Sequence, residues 1–245
     1  MAMAASLPDF LGLGTQKGGT TTLHRLLDQH PAIHLPACKE VHFFDQNYDK
    51  GPGWYSDQFQ AAQPGQRCGD ITPFYLFHPD VPQRIHRLLP HARLIVLLRD
   101  PVERAISQLF HARKRGFEPL EPAEAFAAES QRLASGAAYS LQKHSYLSRS
   151  RYLEQLDRYE ALFPSDQLLI LRSEDLFAQP DQVWSRLLEF LEVPAFELPG
   201  PLPRANAGDG LANDIDPALR AQLRLDLAET VSGVQRRYGI DWHWD

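Results

Sequence analysis

The sequence predicts an α/β fold with a central parallel sheet flanked by helices, and two observations support this prediction. Short buried strands alternate with longer amphipathic helices, which is the pattern of a parallel sheet covered on both faces. The first strand also leads into a glycine-rich turn before a helix, as in P-loop-like nucleotide-binding folds. We therefore expect a single domain over residues 1–245, with residues 1–8 as a short N-terminal tail.

The chain opens with a predicted phosphate-binding loop. A strand over residues 9–14 is followed by the Gly- and Thr-rich segment 15–22, after which Leu23, Leu26 and Leu27 recur at helical spacing. This order of elements directs unpaired backbone N–H groups and the positive end of the helix dipole towards an anion. We expect the bound ligand to carry a phosphate.

The remaining elements follow from apolar spacing and proline positions. Residues 93–98 and 168–171 form short, strongly apolar runs and are predicted strands. Pro101 suits the first turn of the helix that follows residue 98. Helices are predicted over 102–114, 139–163, 182–191 and 217–238, and a long exposed loop over 197–212.

Composition narrows the classes of partner and location. The chain has 25 Lys+Arg and 31 Asp+Glu, a net charge of −6, which disfavours a nucleic-acid partner. Its longest central apolar run, residues 94–98, is far shorter than the roughly 20 residues that span a bilayer. Residues 1–10 lack the basic start of a secretory signal. We expect no transmembrane segment and a cytoplasmic location.

The phosphate loop differs from the common triphosphate-binding loop. In G-x-x-x-x-G-K-[ST] a lysine follows the second glycine and a hydroxyl binds magnesium. Gly14 and Gly19 keep this spacing, but Thr20 occupies the lysine position and Lys17 lies inside the loop. We therefore expect a phosphate ligand without obligatory magnesium. The expected phosphate-binding residues are Lys17, Gly18, Gly19, Thr20, Thr21 and Thr22.

This loop resembles the Q-K-G-G-T-T-T segment of sulfotransferases that use 3′-phosphoadenylyl sulfate (PAPS), where it binds the 5′-phosphosulfate. Arg99 and Ser107 match the 3′-phosphate segment of the same family in residue type and spacing. An arginine at a strand end and a serine two helical turns later can converge on one phosphate, through a charged fork and a hydroxyl.

Three further segments, 39–45, 69–75 and 238–243, are similar to the heparan sulfate N- and 3-O-sulfotransferase branch. In that branch the glutamate matching Glu40 is held to be the catalytic base. His42 is the alternative base, because histidine titrates near neutral pH. On an extended segment the two side chains would share a face, so that one acts while the other orients it.

Two positions depart from that branch. Ile71 stands where several relatives have a lysine before Thr-Pro, which leaves Lys39 as a substitute cation. The segment 204–208 replaces a basic C-terminal nucleotide loop, so Arg204 is an expected nucleotide contact.

The resemblance implies sulfuryl transfer from PAPS to a hydroxyl or amine of a carbohydrate-like or other small acceptor, with adenosine 3′,5′-bisphosphate (PAP) as product. Lys17 would stabilise the leaving phosphate, and burial would raise the pKa of Glu40 so that it accepts the acceptor's proton. The histidines lack the spacing of metal ligands, so no metal is expected.

Several alternatives stay open at this point. A nucleotide kinase would need a lysine where Thr20 stands, whereas a non-catalytic nucleotide-binding protein is compatible with Ile71. Structural roles are also open for single residues. Lys17 could be solvated, Glu40 could pair only with Lys39, and Arg99 could pair with Asp100 or Glu103. Tyr152 and Trp54 could stack on a ring of a ligand or pack in the core.

Overall fold

The computed structural model describes residues 7–198, 200, 202 and 215–244. The chain divides into two compact units. The first consists of residues 1–98 and 155–205, and the second of residues 99–154 and 206–245. That the whole chain is a single sulfotransferase domain stays a prediction.

The first unit contains a five-stranded sheet in which all neighbouring strands are parallel. The strands are β1 (Phe10–Gly14), β2 (Ile33–His34), β3 (Arg67–Ile71), β4 (Arg93–Leu98) and β5 (Leu168–Arg172), in the order β2-β3-β1-β4-β5. Leu11 of the central strand β1 lies opposite Asp70 of β3 and Leu94 of β4. The predicted parallel sheet and its three predicted strands are confirmed.

Eleven α-helices lie in the part of the chain that the structure describes. They are α1 (Thr20–Leu27), α2 (Phe43–Gln46), α3 (Gly51–Asp57), α4 (Val81–Leu88), α5 (Pro101–Lys114), α6 (Pro122–Ala134), α7 (Ala138–Lys143), α8 (Tyr152–Glu160), α9 (Ser173–Ala178), α10 (Pro180–Leu191) and α11 (Pro217–Tyr238). The helices predicted around 102–114, 182–191 and 217–238 are confirmed as α5, α10 and α11.

The prediction of one helix over 139–163 is wrong. The chain forms α7, a 3₁₀ turn at Ser148–Ser150 and then α8. The backbone N–H groups of Leu147 and Ser148 donate to the buried carboxylate of Glu129, at 2.6 and 2.8 Å. This carboxylate replaces the carbonyl acceptors that a continuous helix would provide, and it comes from α6, which the local pattern does not include.

The sequence analysis did not predict strand β3, because polar and small residues interrupt its apolar pattern. Asp70 is fully buried in this strand, where its carboxylate accepts three side-chain hydrogen bonds. A Cβ on Gly69 would lie 2.1 Å from the ring of Phe10, so the strand needs glycine to pack beside β1. Tertiary hydrogen bonds and packing thus stabilise a strand that hydrophobicity alone does not indicate.

One face of the sheet packs against α1, α9 and α10. Leu23, Leu26 and Leu27 of α1 are all buried in this core, as their spacing predicts. Each such fully buried leucine contributes on the order of 1.5–3 kcal/mol of transfer free energy. The start of α1, and with it the phosphate loop, is therefore anchored firmly to the sheet.

The second unit has a core formed by α5, α6 and α11, with Leu109, Phe126 and Leu223 among its buried residues. Arg104 of α5 is also fully buried, and its guanidinium donates to Ser150 Oγ at 2.6 Å and to Gln108 Oε1 at 2.7 Å. Burial lowers the pKa of this guanidinium to about 10. This positive charge of α5 is therefore internal and not on the solvated face of the helix.

Candidate active site

The phosphate loop connects the end of β1 to α1 and is tied to β4. Both the backbone N–H and the hydroxyl of Thr15 donate to the carbonyl of Leu97, at 2.8 and 3.0 Å. The N–H of Gly18 then donates to Thr15 O at 2.9 Å, which closes a tight turn. Ser173 Oγ donates to Gly18 O at 2.8 Å from α9. The loop is thus held in place before any ligand binds.

Two glycines in the loop are structural requirements. A Cβ on Gly18 would lie 2.5 Å from Thr15 Oγ1 and 2.8 Å from Leu97 O. Gly19 has a φ of 92° and occupies the N-cap position of α1, where it has no side chain that could cap the helix. Because α1 begins without a side-chain cap, its first backbone N–H groups remain suited to an anionic ligand.

The three threonines at the start of α1 are not equivalent. Thr20 and Thr22 are buried, whereas Thr21 is half-buried. The backbone N–H of Thr22 already donates to Gly19 O at 2.9 Å. Thr21 is therefore the most accessible of the three threonines, and the ligand contacts of all three stay predictions.

The second predicted cluster is assembled around Glu40. Lys39 Nζ lies 2.5 Å from Glu40 Oε1, and His42 Nε2 lies 3.6 Å from Glu40 Oε2. On its other side, His42 Nδ1 lies 2.7 Å from Asp45 Oδ2. Glu40 therefore pairs with Lys39, which fits a purely structural role for this carboxylate. It also contacts His42, which fits a catalytic role.

Asp45 is a candidate site residue that the sequence analysis missed. Its side chain is inaccessible to solvent, and its contact with His42 spans three residues at the start of α2. The sequence held a signal for it: Asp45 lies three residues after the candidate base His42, within the segment 39–45 that is similar to the heparan sulfate sulfotransferases. A carboxylate on Nδ1 fixes the ring orientation and directs Nε2 towards Glu40.

These contacts determine the charge states of Glu40 and His42. Burial by itself would raise the pKa of Glu40, but the contact with His42 and the charge of Lys39 lower it to about 2. Burial would lower the pKa of His42, but hydrogen bonds to Asp45 and Glu40 raise it to about 9. The expectation of a raised Glu40 pKa is therefore wrong: at neutral pH Glu40 is a carboxylate and His42 a cation.

The backbone is unusual at all three predicted catalytic residues. Lys17, Glu40 and His42 have φ values of 70°, 66° and 54°, in the left-handed region that disfavours residues with a Cβ. The expectation of an extended segment at 40–42 is therefore wrong, although the side chains of Glu40 and His42 still meet. Strained backbone of this kind is frequent at functional sites.

The loop and the Glu40 cluster are neighbours within the first unit. They lie at the carboxyl ends of two paired parallel strands, β1 and β3, an edge where α/β folds bind ligands. His24 of α1 confirms the proximity, since burial lowers its pKa and the charges of Asp28, Lys39 and Glu40 also act on it.

Arg99 and Ser107 lie in the second unit. Tyr152 Oη donates to Arg99 O at 2.7 Å, and Ser107 is half-buried on α5. Both acidic residues considered as partners of Arg99 have other contacts. Asp100 accepts from Val102 N and Glu103 N at 2.9 and 3.0 Å, which caps α5, and Glu103 pairs with Arg220.

Three other candidates have clear positions. Tyr152 is fully buried and packs 6.3 Å from Trp242 between ring centroids, so stacking on a ligand is disfavoured. Trp54 is half-buried, with Lys50 Nζ 4.4 Å from its ring centroid. Ile71 is buried in the core, where it does not replace the lysine of relatives. Arg204 lies outside the described residues.

Comparison with known proteins identifies the family. Residues 7–200 match the sulfotransferase domain family. Human heparan sulfate glucosamine 3-O-sulfotransferase 3B1 is 33% identical over 186 residues, covering 76% of this chain and 46% of that protein. Membrane-associated sulfotransferase kil1 of Dictyostelium discoideum is 28% identical over 265 residues, covering 76% of this chain and 56% of that protein. The chain thus spans about half the length of these relatives.

Solved structures agree in fold. A sulfotransferase from Alicyclobacillus acidocaldarius is 27% identical with a TM-score of 0.82, covering 96% of this chain and 97% of that chain. Mouse sulfotransferase SULT7A1, solved with PAP, is 14% identical with a TM-score of 0.60, covering 97% of this chain and 87% of that chain. The second likeness concerns the fold alone.

Two absences apply to the residues that the structure describes. Within them, no helix combines the length and apolarity that a bilayer span requires, and no group of His, Cys, Asp and Glu is arranged to hold a metal ion. The absence of a metal requirement stays a prediction. The matches do not favour a nucleotide kinase, and they confirm the resemblance inferred from the motifs: this chain belongs to the sulfotransferase domain family, with heparan sulfate sulfotransferases among its relatives.

Proposed function

We propose that this protein transfers a sulfuryl group from PAPS to a hydroxyl of a saccharide-like or other small acceptor, an amine being the second choice. The observation that carries the proposal is the chain of contacts from Lys39 through Glu40 and His42 to Asp45, beside a phosphate loop. The family membership of the chain and the PAP bound to SULT7A1 support PAPS as the donor.

The reaction needs one group to accept a proton and others to stabilise a leaving phosphate. The acceptor oxygen attacks sulfur, the sulfur–phosphate oxygen bond breaks, and PAP leaves with the electron pair. Lys17 and the N-terminal end of α1 supply positive charge at that phosphate. Gly18, Gly19, Thr20, Thr21 and Thr22 are the other proposed phosphate ligands of the loop, and we expect no metal ion to be required.

Glu40 is the proposed base and His42 its partner. A group with a pKa raised to about 9 is protonated at neutral pH, so His42 is not available to accept the proton. Glu40 is ionised and held by Lys39 and His42, so it is a carboxylate ready to accept a proton. The hydroxyl becomes acidic as its oxygen bonds to sulfur, and its proton then passes to Glu40. Asp45 keeps His42 oriented.

Arg99 and Ser107 are the proposed ligands of the nucleotide's 3′-phosphate. The spacing from a strand end to the second turn of a helix supports this role, because a charged fork and a hydroxyl can then converge on one phosphate. Arg204 stays a predicted nucleotide contact. A cytoplasmic location also stays a prediction, since one relative is described as membrane-associated.

Calorimetric titration with PAP, compared with ATP–Mg²⁺, tests the nucleotide half of the proposal. We expect PAP to bind without metal and the Arg99→Ala variant to bind it more weakly. Binding of ATP–Mg²⁺ alone would overturn the proposal in favour of a kinase-like site.

Radiolabelled PAPS then tests transfer. Incubation with a heparosan oligosaccharide, a neutral oligosaccharide and p-nitrophenol covers saccharide and phenolic hydroxyls, and glucosamine covers an amine. We expect label in at least one saccharide. Tight PAP binding with no transfer to any acceptor and no release of sulfate would support the non-catalytic alternative.

A further inference from the structure

The short helix α2 sets the geometry of the Glu40 cluster, because it begins next to His42 and carries Asp45. A helix of four residues has almost no hydrogen bonds of its own to hold it in place. The side chain of His42 does not cap it. Instead, the backbone N–H groups of Phe43 and Phe44 lie 2.8 and 3.4 Å from the hydroxyl oxygen of Tyr75.

The hydroxyl of Tyr75 is itself oriented by a buried carboxylate. Tyr75 Oη donates to Asp70 Oδ2 at 2.8 Å, and both side chains are fully buried. A tyrosine hydroxyl has one hydrogen, so donation to Asp70 leaves its lone pairs for the N–H groups of α2. Asp70 also accepts from Thr72 Oγ1 at 2.8 Å, and that oxygen lies 3.5 Å from the backbone N of His42.

We propose that Tyr75, oriented by Asp70, is a positioning residue for sulfuryl transfer: it caps α2 and so holds His42 and Asp45 in register with Glu40. This inference rests on the proposed function of the Glu40 cluster. Tyr75 touches neither the nucleotide loop nor the carboxylate of Glu40 in any of its described contacts. Its effect on the reaction therefore passes through the backbone of α2.

Tyr55 provides a matched control on the same carboxylate. Its hydroxyl donates to Asp70 Oδ2 at 2.9 Å, its side chain is equally buried, and its ring stacks on Phe43 at 4.2 Å. In the described contacts its hydroxyl bonds to no backbone group of α2. Tyr55→Phe and Tyr75→Phe thus both remove one hydrogen bond from Asp70, but only the second removes the cap.

Steady-state kinetics of the two variants test the proposal. For Tyr75→Phe we expect kcat to fall by roughly 10- to 100-fold, as for a misplaced catalytic group, with PAP affinity within about twofold of wild type. For Tyr55→Phe we expect a similar loss of thermal stability but kcat within about twofold of wild type. Equal kcat in the two variants would overturn the proposal.

A titration followed by NMR separates positioning from general destabilisation. The imidazole signal of His42, assigned by its loss in His42→Gln, should titrate at lower pH in Tyr75→Phe than in wild type or Tyr55→Phe. The charged groups that act on this ring are Glu40, Asp45 and Asp70, and Gln46 Nε2 lies 3.0 Å from its Nδ1. An unchanged titration in folded Tyr75→Phe would overturn the proposal.

Two further comparisons cover the cases in which Tyr75→Phe does not fold or the proposed function fails. If Tyr75→Phe does not fold, Asp70→Asn takes its place, because it keeps the side-chain volume and both tyrosine hydroxyls. The proposal then requires the same loss of kcat in Asp70→Asn. Unchanged kcat in that variant would overturn the proposal. Failure of the proposed function is recognised separately, since wild type would then transfer no sulfate and bind no PAP, while the His42 titration would still report on α2.

Discussion

His42 Nδ1 lies 2.7 Å from Asp45 Oδ2, and the Asp45 side chain is closed to solvent. The contact joins the residue before α2 to the third residue of that helix. It leaves Nε2 of His42 facing Glu40, 3.6 Å from Oε2. A buried carboxylate thereby keeps the imidazole charged and oriented, which in turn keeps Glu40 ionised.

Asp45→Asn should lower the pKa of His42 from about 9 towards its ordinary value of 6.5, because the amide keeps the shape but not the charge. We expect kcat to fall by about 10- to 100-fold through loss of orientation. An NMR titration of the His42 ring and steady-state kinetics measure the two effects. Asp49→Asn, on an exposed residue nearby, is the control, and a His42 pKa equal in both variants would contradict the assigned contact.

Glu40→Gln should abolish most of the turnover, by about 10²- to 10⁴-fold, because glutamine cannot accept the acceptor's proton. PAP affinity should stay close to that of wild type, since Glu40 has no role at the phosphates. The comparison uses Glu189→Gln on the exposed side of α10. If Glu40→Gln and His42→Ala both turn over PAPS at the wild-type rate, the proposed mechanism is wrong.

The charged pair should make stability depend on pH in a defined window. The raised pKa of His42 contributes stability that is complete below its ordinary 6.5 and lost as the pH rises through about 9. The lowered pKa of Glu40 contributes stability that is complete above its ordinary 4.5 and lost as the pH falls through about 2. The pair therefore stabilises most between pH 4.5 and 6.5.

Urea unfolding measures this effect. The free energy of unfolding that His42→Gln loses relative to wild type should be larger at pH 5.5 than above pH 9. The exposed His91→Gln should show no such difference between the two pH values. A loss in His42→Gln that does not change with pH would show that the pair has no electrostatic role in the fold.

Gly18→Ala should destabilise the protein by about 1–3 kcal/mol, because the added Cβ would overlap the backbone oxygen of Leu97 as well as Thr15 Oγ1. PAP affinity should fall with it, since the loop must move to relieve the overlap. Gly53→Ala is the control, because nothing lies within 4 Å of a Cβ at that helical position. Equal stability of the two variants by chemical denaturation would contradict the loop packing.

Arg99→Ala and Ser107→Ala should each weaken recognition of the 3′-phosphate. Neither variant should abolish nucleotide binding in general. Calorimetry with PAP and with adenosine 5′-monophosphate separates these effects. We expect each variant to lose affinity for PAP, more for Arg99→Ala because its hydrogen bonds are charge-assisted, while affinity for the monophosphate changes little. Equal losses for both nucleotides would place the two residues elsewhere than at the 3′-phosphate.

Much of the fold was predictable, because its signals are local. The strands at β1, β4 and β5 are short apolar runs, and α5, α10 and α11 begin at prolines that suit a first helical turn. Strand β3 was not predictable in this way, since the buried Asp70 interrupts its apolar pattern and is stabilised by three hydroxyls, those of Tyr55, Thr72 and Tyr75, that folding brings around it. The break between α7 and α8 likewise depends on Glu129, a tertiary partner.

The sequence by itself determined the family, and it predicted the phosphate loop and the roles of Lys17, Glu40 and His42, because motif order and residue type are written in the chain. The tertiary structure alone decided their chemistry. It brought Asp45 to His42, lowered rather than raised the pKa of Glu40, and placed Tyr75 at the start of α2. A pKa depends on burial and on the charges within a few ångströms, and only folding decides which groups those are.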